Sequence, residues 1–442
     1  MRQAARPNRK RPGPGAREQR VRGAHSWLGR CVRVLGPGLV SGASDDDPSG
    51  VATYAVAGAS LGLATLWTAL FTIPMMAAVQ FISAKVGLAS GRGLAGALRH
   101  HYPTWAVSTA VLGLAVANTI NAGADTGAVA AALNLIVPVP AAAMIVPIAA
   151  AIVAVVVWGT YPAVARALKW MSLLLLAYVG SAFLAHPRWP AVLAATVIPH
   201  VRLDGQFLSV LVAVLGTTIS PYMWFWQASQ EVEEREAIGE RHLWQRRGVS
   251  QRELGYAAWD VNVGMFFSNV VMYFIILATA STLHRAGHTN ITSAAQAAEA
   301  LRPLAGPLAT WLFALGLASA GLIAIPVLTA SAAYAVGELF GWRTGLGERL
   351  GRAKAFYAVI AVSTAVGMLI NFTGINPIDA LFATAVINGF LTPPILLLLM
   401  LAVNNRAIMG SRVNGPLLNT IGWGTTAVMT AAVIGLILTW KS

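Results

Sequence analysis

Three consecutive carboxylates and a proline, Asp45-Asp46-Asp47-Pro48, stand between Gly42 and Gly50 in a stretch that is otherwise apolar from Val34 to Leu63. A charged side chain at bilayer depth costs at least about 2.5 kcal/mol, so acids there line a polar path or hold an ion. Proline cannot donate to the helix ladder and glycine tolerates unwound backbone. Together they predict a helix broken in mid-membrane, with free carbonyls beside Asp47. The alternative is an aqueous loop whose Asp residues cap a helix. Against it, the apolar text resumes at once on both sides.

Composition supports the membrane reading. Hydrophobic residues make up 56% and charged residues 11%, against about 25% charged in soluble domains. The net charge of +14 does not imply nucleic acid, because ten of the 31 Lys and Arg precede Leu35 in a Pro/Arg-rich tail. That tail, residues 1–33, has too little apolar surface to fold and is expected to be disordered and cytoplasmic. The remainder, 34–442, is the expected membrane domain. No short apolar segment with a small-residue cleavage site follows the basic run, so no cleavable signal is expected. The one cysteine, Cys31, excludes an internal disulfide and a cysteine-built metal site and reads as an incidental thiol.

Apolar runs of about 18 residues or more mark spans. They fall at 34–60 (broken), 65–88, 104–133, 142–162, 168–186, 206–230 (broken), 256–282, 306–336, 355–371, 377–403 and 417–440. With the amino terminus inside, the loops after even-numbered spans hold fifteen Lys and Arg, Arg166 and Lys169 among them. The opposite side holds five, including Lys441. This is the positive-inside bias, and it puts the carboxyl terminus outside.

The sixth span carries a second interruption, Gly216-Thr217-Thr218-Ile219-Ser220-Pro221-Tyr222. A proline alone would be read as a kink. Breaks in both the first and the sixth span are what two inverted five-helix repeats produce, about 34–186 and 206–403, with the helix at 417–440 outside the repeat.

At this pair of motifs the chain resembles the Nramp family of divalent-metal transporters, from about Val34 to Trp440. It is most similar to the divergent branch that reads "SDDDPSG" and "GTTISP" and includes Nramp-related magnesium transporters. The resemblance implies an all-α polytopic membrane protein with a LeuT-like (APC superfamily) fold of about eleven helices, helices 1 and 6 broken, in a bacterial inner membrane. The divalent ion is then a substrate, and no cofactor is permanently bound. The family carries Asp-Pro-Gly-Asn in the first helix, with Asp and Asn as ligands, and Ala-x-x-Met-Pro-His in the sixth, where the Ala carbonyl and the Met sulfur face the ion. The matching runs here are Asp47-Pro48-Ser49-Gly50 and Thr217-Thr218-Ile219-Ser220-Pro221-Tyr222. Asp47 is therefore the expected ligand, Gly50 stands in place of the amide, Thr217 offers the carbonyl, Ser220 replaces the sulfur and Tyr222 replaces the His. Pro48 and Pro221 shape the breaks.

Loss of the thioether favours hard ions, and a roomier site suits a partly hydrated Mg²⁺. Mg²⁺ is the expected cargo and Mn²⁺ the runner-up, with ordinary proton-coupled Mn²⁺/Fe²⁺ symport as the alternative. The third span keeps one acid, Asp125, where coupled members usually have two. It is a proton acceptor, an outer partner of the ion, or a carboxyl hydrogen-bonded between helices. With the His also replaced, uncoupled uptake is the simplest expectation.

Three ionised neighbours at one dry site are costly, so Asp46 is expected to face a vestibule as a lesser contributor, and Asp45 could be a solvated cap. Asn388 on the tenth span supplies an oxygen to the site or an interhelical hydrogen bond. Asp260 is expected to pair with Arg252 at the interface, and Trp224 and Trp226 to pack in the core. An ion-coupled carrier of amino-acid-type solutes would place a helix N-terminus at the substrate carboxylate, which three Asp would repel. The motifs of intramembrane aspartyl hydrolases and of other enzymes are absent, so no enzyme is expected. Beyond the ion and the bilayer the sequence offers no readable protein partner.

Overall fold

In lipid, apolar runs of this length can satisfy their backbone groups only as helices or closed barrels, and over the described residues each expected span is helical. The computed structural model describes residues 15–21, 33–158 and 172–439. Cys31, most of the basic tail, the junction of the fourth and fifth spans with Arg166 and Lys169, and Lys441 lie outside the described residues.

The first span is split into α2 (Pro37–Asp45) and α3 (Pro48–Leu61), preceded by a short α1 (Ala16–Val21). There follow α4 (Trp67–Ser90), α5 (Thr104–Asn134), α6 (Ala141–Val157) and α7 (Ala177–Leu184). The sixth span is split into α8 (Gly205–Thr218) and α9 (Pro221–Ala237). After it come α10 (Gln251–Thr279), α11 (Ala309–Phe340), α12 (Lys354–Ile370), α13 (Pro377–Asn404) and α14 (Pro416–Thr439). Among the described residues, seven stretches are long and apolar enough to cross a membrane. Shorter apolar helices lie at 141–157, 174–184 and 354–370, and the first span is divided between two half-helices.

Both breaks have the same cause. Pro48 and Pro221 each stand at the first helical position, where a missing N–H costs nothing. The helices before them end at Asp45 and Thr218. Around the breaks, α2 lies against α10, α8 against α13, and α5 against α11, α12 and α13. The approach of α2 to α10 is backbone to backbone: a Cβ at Gly42 would run into the Gly264 main chain. Small residues permit such crossings in lipid, and this one brings Ser268, one turn past Gly264, beneath the aspartates.

Within the stretch expected to be disordered, α1 is a helix docked on the body. Arg17 is fully buried, donating to Glu231 at 2.6 and 2.8 Å and to Asp260 at 2.9 Å. Burial opposes its charge, and the carboxylates of Glu231, Glu234 and Asp260 outweigh that cost, holding the guanidinium protonated.

Candidate functional site

The site grows out of the first break. Asp47 is the N-cap of α3: its Oδ1 accepts from the Gly50 amide at 2.6 Å and from Ser49 Oγ at 2.9 Å. The capping geometry that would suit an aqueous loop is thus realised between two membrane half-helices. Its other oxygen, Oδ2, accepts from Asn121 Nδ2 on α5 at 3.2 Å.

Asp45 and Asp46 turn the other way, toward α10. Ser268 Oγ donates to Asp45 Oδ2 at 2.5 Å and lies 3.2 Å from Asp46 Oδ1. All three aspartates are about 1% exposed. Asp45 is therefore not a solvated cap, and Asp46 does not face open water in this conformation; both departures follow from the close α2–α10 crossing. Asp45 Oδ1 and Asp46 Oδ2 have no hydrogen-bond partner.

Asp125 lies one turn along α5 from Asn121 and is fully buried. Neither of its carboxyl oxygens is within hydrogen-bonding geometry of a partner, although the Ser49 amide and the Asp47 charge are close. The reading of Asp125 as a carboxyl hydrogen-bonded between helices is the one of its three that this geometry does not support.

The second break faces the first. Ser220 Oγ donates to the carbonyls of Gly216 at 2.8 Å and Thr217 at 2.7 Å, which leaves its lone pairs to point elsewhere. Thr217 Oγ1 borders Gly50: a Cβ built on Gly50 would sit 3.4 Å from it, 3.3 Å from Asp47 Oδ1 and 3.0 Å from the Asp45 carbonyl. Gly50 thus leaves only a narrow space. Tyr222 Oη donates to the Ser44 carbonyl at 2.8 Å, tying α9 to the end of α2. Asn388 is buried on α13 with Oδ1 unpartnered, and Thr392, one turn on, donates to the Ile219 carbonyl at 3.2 Å. Trp224 and Trp226 are buried as expected.

Among the described residues no three His, Cys, Asp or Glu side chains converge as a metal cluster. A cation here would be held by Asp47 with carbonyl, hydroxyl and water oxygens. A cavity of about 930 Å³ runs from Val40 and Ala43 past Trp226 to Arg20, Glu234 and Glu348, on the side that carries α1.

A family model described as natural resistance-associated macrophage protein-like matches residues 38–439. The chain belongs to the Nramp family. That is a family of transporters rather than enzymes. The chain is 26% identical over 425 residues to the divalent metal cation transporter MntH of Klebsiella pneumoniae, covering 93% of this chain and 96% of the relative. Its identity to MntH of Aeromonas hydrophila is 25% over 419 residues, covering 92% and 94%. The fold matches that of the Eremococcus coleocola manganese transporter with a TM-score of 0.71 at 17% identity, over 94% of this chain and 88% of that one. It also matches Mhp1, a nucleobase-cation-symport-1 family transporter, with a TM-score of 0.52 at 16% identity, over 92% and 93%. The fold is accordingly the LeuT-like one.

Two residues of this Nramp chain escaped the sequence reading. Asn121 carried a usable signal, since it sits four residues before Asp125 and so shares its face of α5. Arg17 carried none, being one basic residue among ten in the tail. Asp260 was assigned the wrong partner. It binds Arg17 and accepts from the amides of Gly36, Gly38 and Leu39 at 2.8, 2.9 and 3.1 Å, where it anchors the start of α2.

Proposed function

We propose that this chain moves Mg²⁺ or Mn²⁺ inward across a bacterial inner membrane by alternating access. Asp47 is the charged ligand, Thr217, Ser220 and Gly50 form the rest of the site, and Asp46, turned toward Ser268 in this conformation, is a lesser contributor. One observation carries this reading. Buried charges are paired or coordinate a cation, and among the described residues no basic side chain pairs with Asp45, Asp46, Asp47 or Asp125. The acids lie where two broken helices meet, and the Ser220 hydroxyl, its proton spent on backbone carbonyls, presents only lone pairs. These are hard oxygen donors and favour Mg²⁺ and Mn²⁺. The relatives are divalent metal cation transporters by name, which agrees with that class of cargo.

The cavity beside Ala43 is the inward exit in this reading, with α1 and the amino terminus on the cytoplasmic side and the carboxyl terminus outside. Residues 34–186 and 206–403 form the two repeats that rock against each other. Uptake is uncoupled from protons because Tyr222 serves as a donor to a carbonyl. A second reading, proton-coupled Mn²⁺ symport, has one observation in its favour, the unpartnered carboxyl of Asp125.

The test is uptake of Mg²⁺, Mn²⁺ and Ca²⁺ into proteoliposomes with an enclosed pH dye. Mg²⁺ or Mn²⁺ entry without acidification is the expected result. Mn²⁺ entry with acidification favours the second reading, and entry of none of the three ions overturns both.

A further inference from the structure

Asn121 holds an oxygen that nothing in the fold uses. The side chain is fully buried on α5, its Nδ2 donates to Asp47 Oδ2 at 3.2 Å, and its Oδ1 has no hydrogen-bond partner. A buried polar atom left unpaired is unfavourable, and such atoms call for an explanation. The helix on either side of it is fixed: Asn118 Nδ2 donates to the Leu328 carbonyl at 3.1 Å, and Asn371 Nδ2 to the Gly123 carbonyl at 2.9 Å. The amide itself is free to turn, because Oδ1 makes no bond that a turn would break. An amide presents N–H donors on one side and a carbonyl acceptor on the other, and here the donor side faces the carboxylate.

We propose that Asn121 is a ligand of the transported cation, its amide turning over as the ion settles on Asp47 so that Oδ1 takes the place of Nδ2. The inference rests on Asp47 being the charged ligand, as proposed above. A half-turn about the Cβ–Cγ bond puts Oδ1 where Nδ2 now stands, 3.2 Å from Asp47 Oδ2. Two oxygens at right angles, each about 2.1 Å from one ion, lie about 3.0 Å apart, which is the spacing of adjacent corners in the octahedron Mg²⁺ demands. The ion replaces the hydrogen bond that Asp47 gives up, and the unused amide oxygen gains a partner. The displaced Nδ2 turns toward acceptors on its own face of α5, where Asp125, one turn along, has both carboxyl oxygens unpartnered.

The experiment measures Mn²⁺ and Mg²⁺ binding to the purified full-length protein by calorimetry. Infrared difference spectra are taken beside it, on protein isotope-labelled in the asparagine side-chain carbonyl. Adding ion to wild type should shift an asparagine carbonyl band, and the shift should vanish in Asn121→Leu and Asn121→Asp. Asn121→Leu should bind Mn²⁺ about tenfold more weakly (about 1.4 kcal/mol). Asn121→Asp keeps an oxygen and discards the donor, so it should bind within about threefold of wild type or more tightly. A residue needed only as a donor to Asp47 would fail in both variants. An absent carbonyl shift, a shift that survives in Asn121→Asp, unchanged affinity in Asn121→Leu, or a tenfold loss in Asn121→Asp each overturns the proposal. Where Asn121→Leu does not fold, the spectra and the Asp variant decide it. Asp47→Ala runs beside them: unchanged Mn²⁺ binding there removes the ligand assignment itself, whereas lost binding there with no carbonyl shift in wild type removes only the role of Asn121.

Discussion

The protein gathers two groups of four acids, all but Glu234 buried, and treats them in opposite ways. At the end of α9, Glu231, Glu234, Glu253 and Asp260 surround Arg17, whose guanidinium lies 2.6 Å from Glu231, 3.8 Å from Glu234, 3.6 Å from Glu253 and 2.9 Å from Asp260. At the helix breaks, Asp45, Asp46, Asp47 and Asp125 are all buried; the first three have hydroxyl or amide donors in place of a cation, and Asp125 has neither. Desolvating a charge costs several kcal/mol wherever it happens. The first group meets that cost with a residue of its own chain and so belongs to the architecture. In the function proposed above, the second leaves it to be met by the transported ion.

The sharpest way to break this contrast is to remove one charged residue from each group. Asp47→Ala should abolish divalent-ion uptake, with the protein still eluting as a folded species from size exclusion in detergent. Normal uptake would mean that the unpaired group is not the transport site. In the Arg17 group the damage should be to stability. Arg17→Met leaves Glu231 and Asp260 buried without their counter-charge, a loss of about 3–5 kcal/mol when a buried pair is broken. Thermal unfolding in detergent reads it. Arg17→Met combined with Glu231→Gln should recover part of the loss, because the uncompensated charge is then smaller. If Arg17→Met melts like wild type, α1 is not fastened as the structure shows.

Much of this was legible in the sequence, for a physical reason. Lipid permits few ways to satisfy a backbone, so apolar length alone located the helices, and Pro48 and Pro221 located the breaks. The place of Asp47 beside the break was legible too, and the structure puts it there as the N-cap of the second half-helix. What escaped were contacts between segments far apart in the chain. Arg17 lies 243 residues from Asp260, and nothing local distinguishes it from its neighbours in the tail. The burial of Asp45 and Asp46 depends on the Gly42–Gly264 crossing, a packing event that no motif within residues 42–50 announces. Ser220 was read correctly as lacking sulfur, but its hydroxyl is committed to two carbonyls, which only the folded break reveals.

Ser220→Met with Gly50→Asn should shift preference from Mg²⁺ toward Mn²⁺ by about tenfold, or about 1.4 kcal/mol. The substitution adds a thioether and also frees the Gly216 and Thr217 carbonyls. The Asn side chain needs its neighbours to yield by a few tenths of an ångström, since Asp45 O would lie 3.0 Å from its Cβ. Competition between the two ions in the uptake assay measures the shift. An unchanged profile would place selectivity outside the two breaks.

The smallest effect comes from a cap that repeats the geometry of Asp47 in water. Asp204 is the N-cap of α8 and accepts from the Phe207 amide at 2.8 Å, as Asp47 accepts from Gly50, with Arg202 Nε also 2.8 Å away. The Phe207 amide, aided by Arg202, holds its carboxyl below the ordinary value. A depressed carboxyl contributes stability that is present above about pH 4 and lost as the pH falls through its folded-state value. Asp204→Asn keeps a capping oxygen and discards the charge. Its melting temperature should therefore lie slightly below wild type at pH 7 and converge with it once the pH has fallen through the folded-state value of Asp204. A gap that persists in acid would show that the cap at Asp204 works through shape rather than charge. The same substitution at Asp47 would then have to be judged by ion uptake alone, because loss of charge there removes the ligand whatever the cap does.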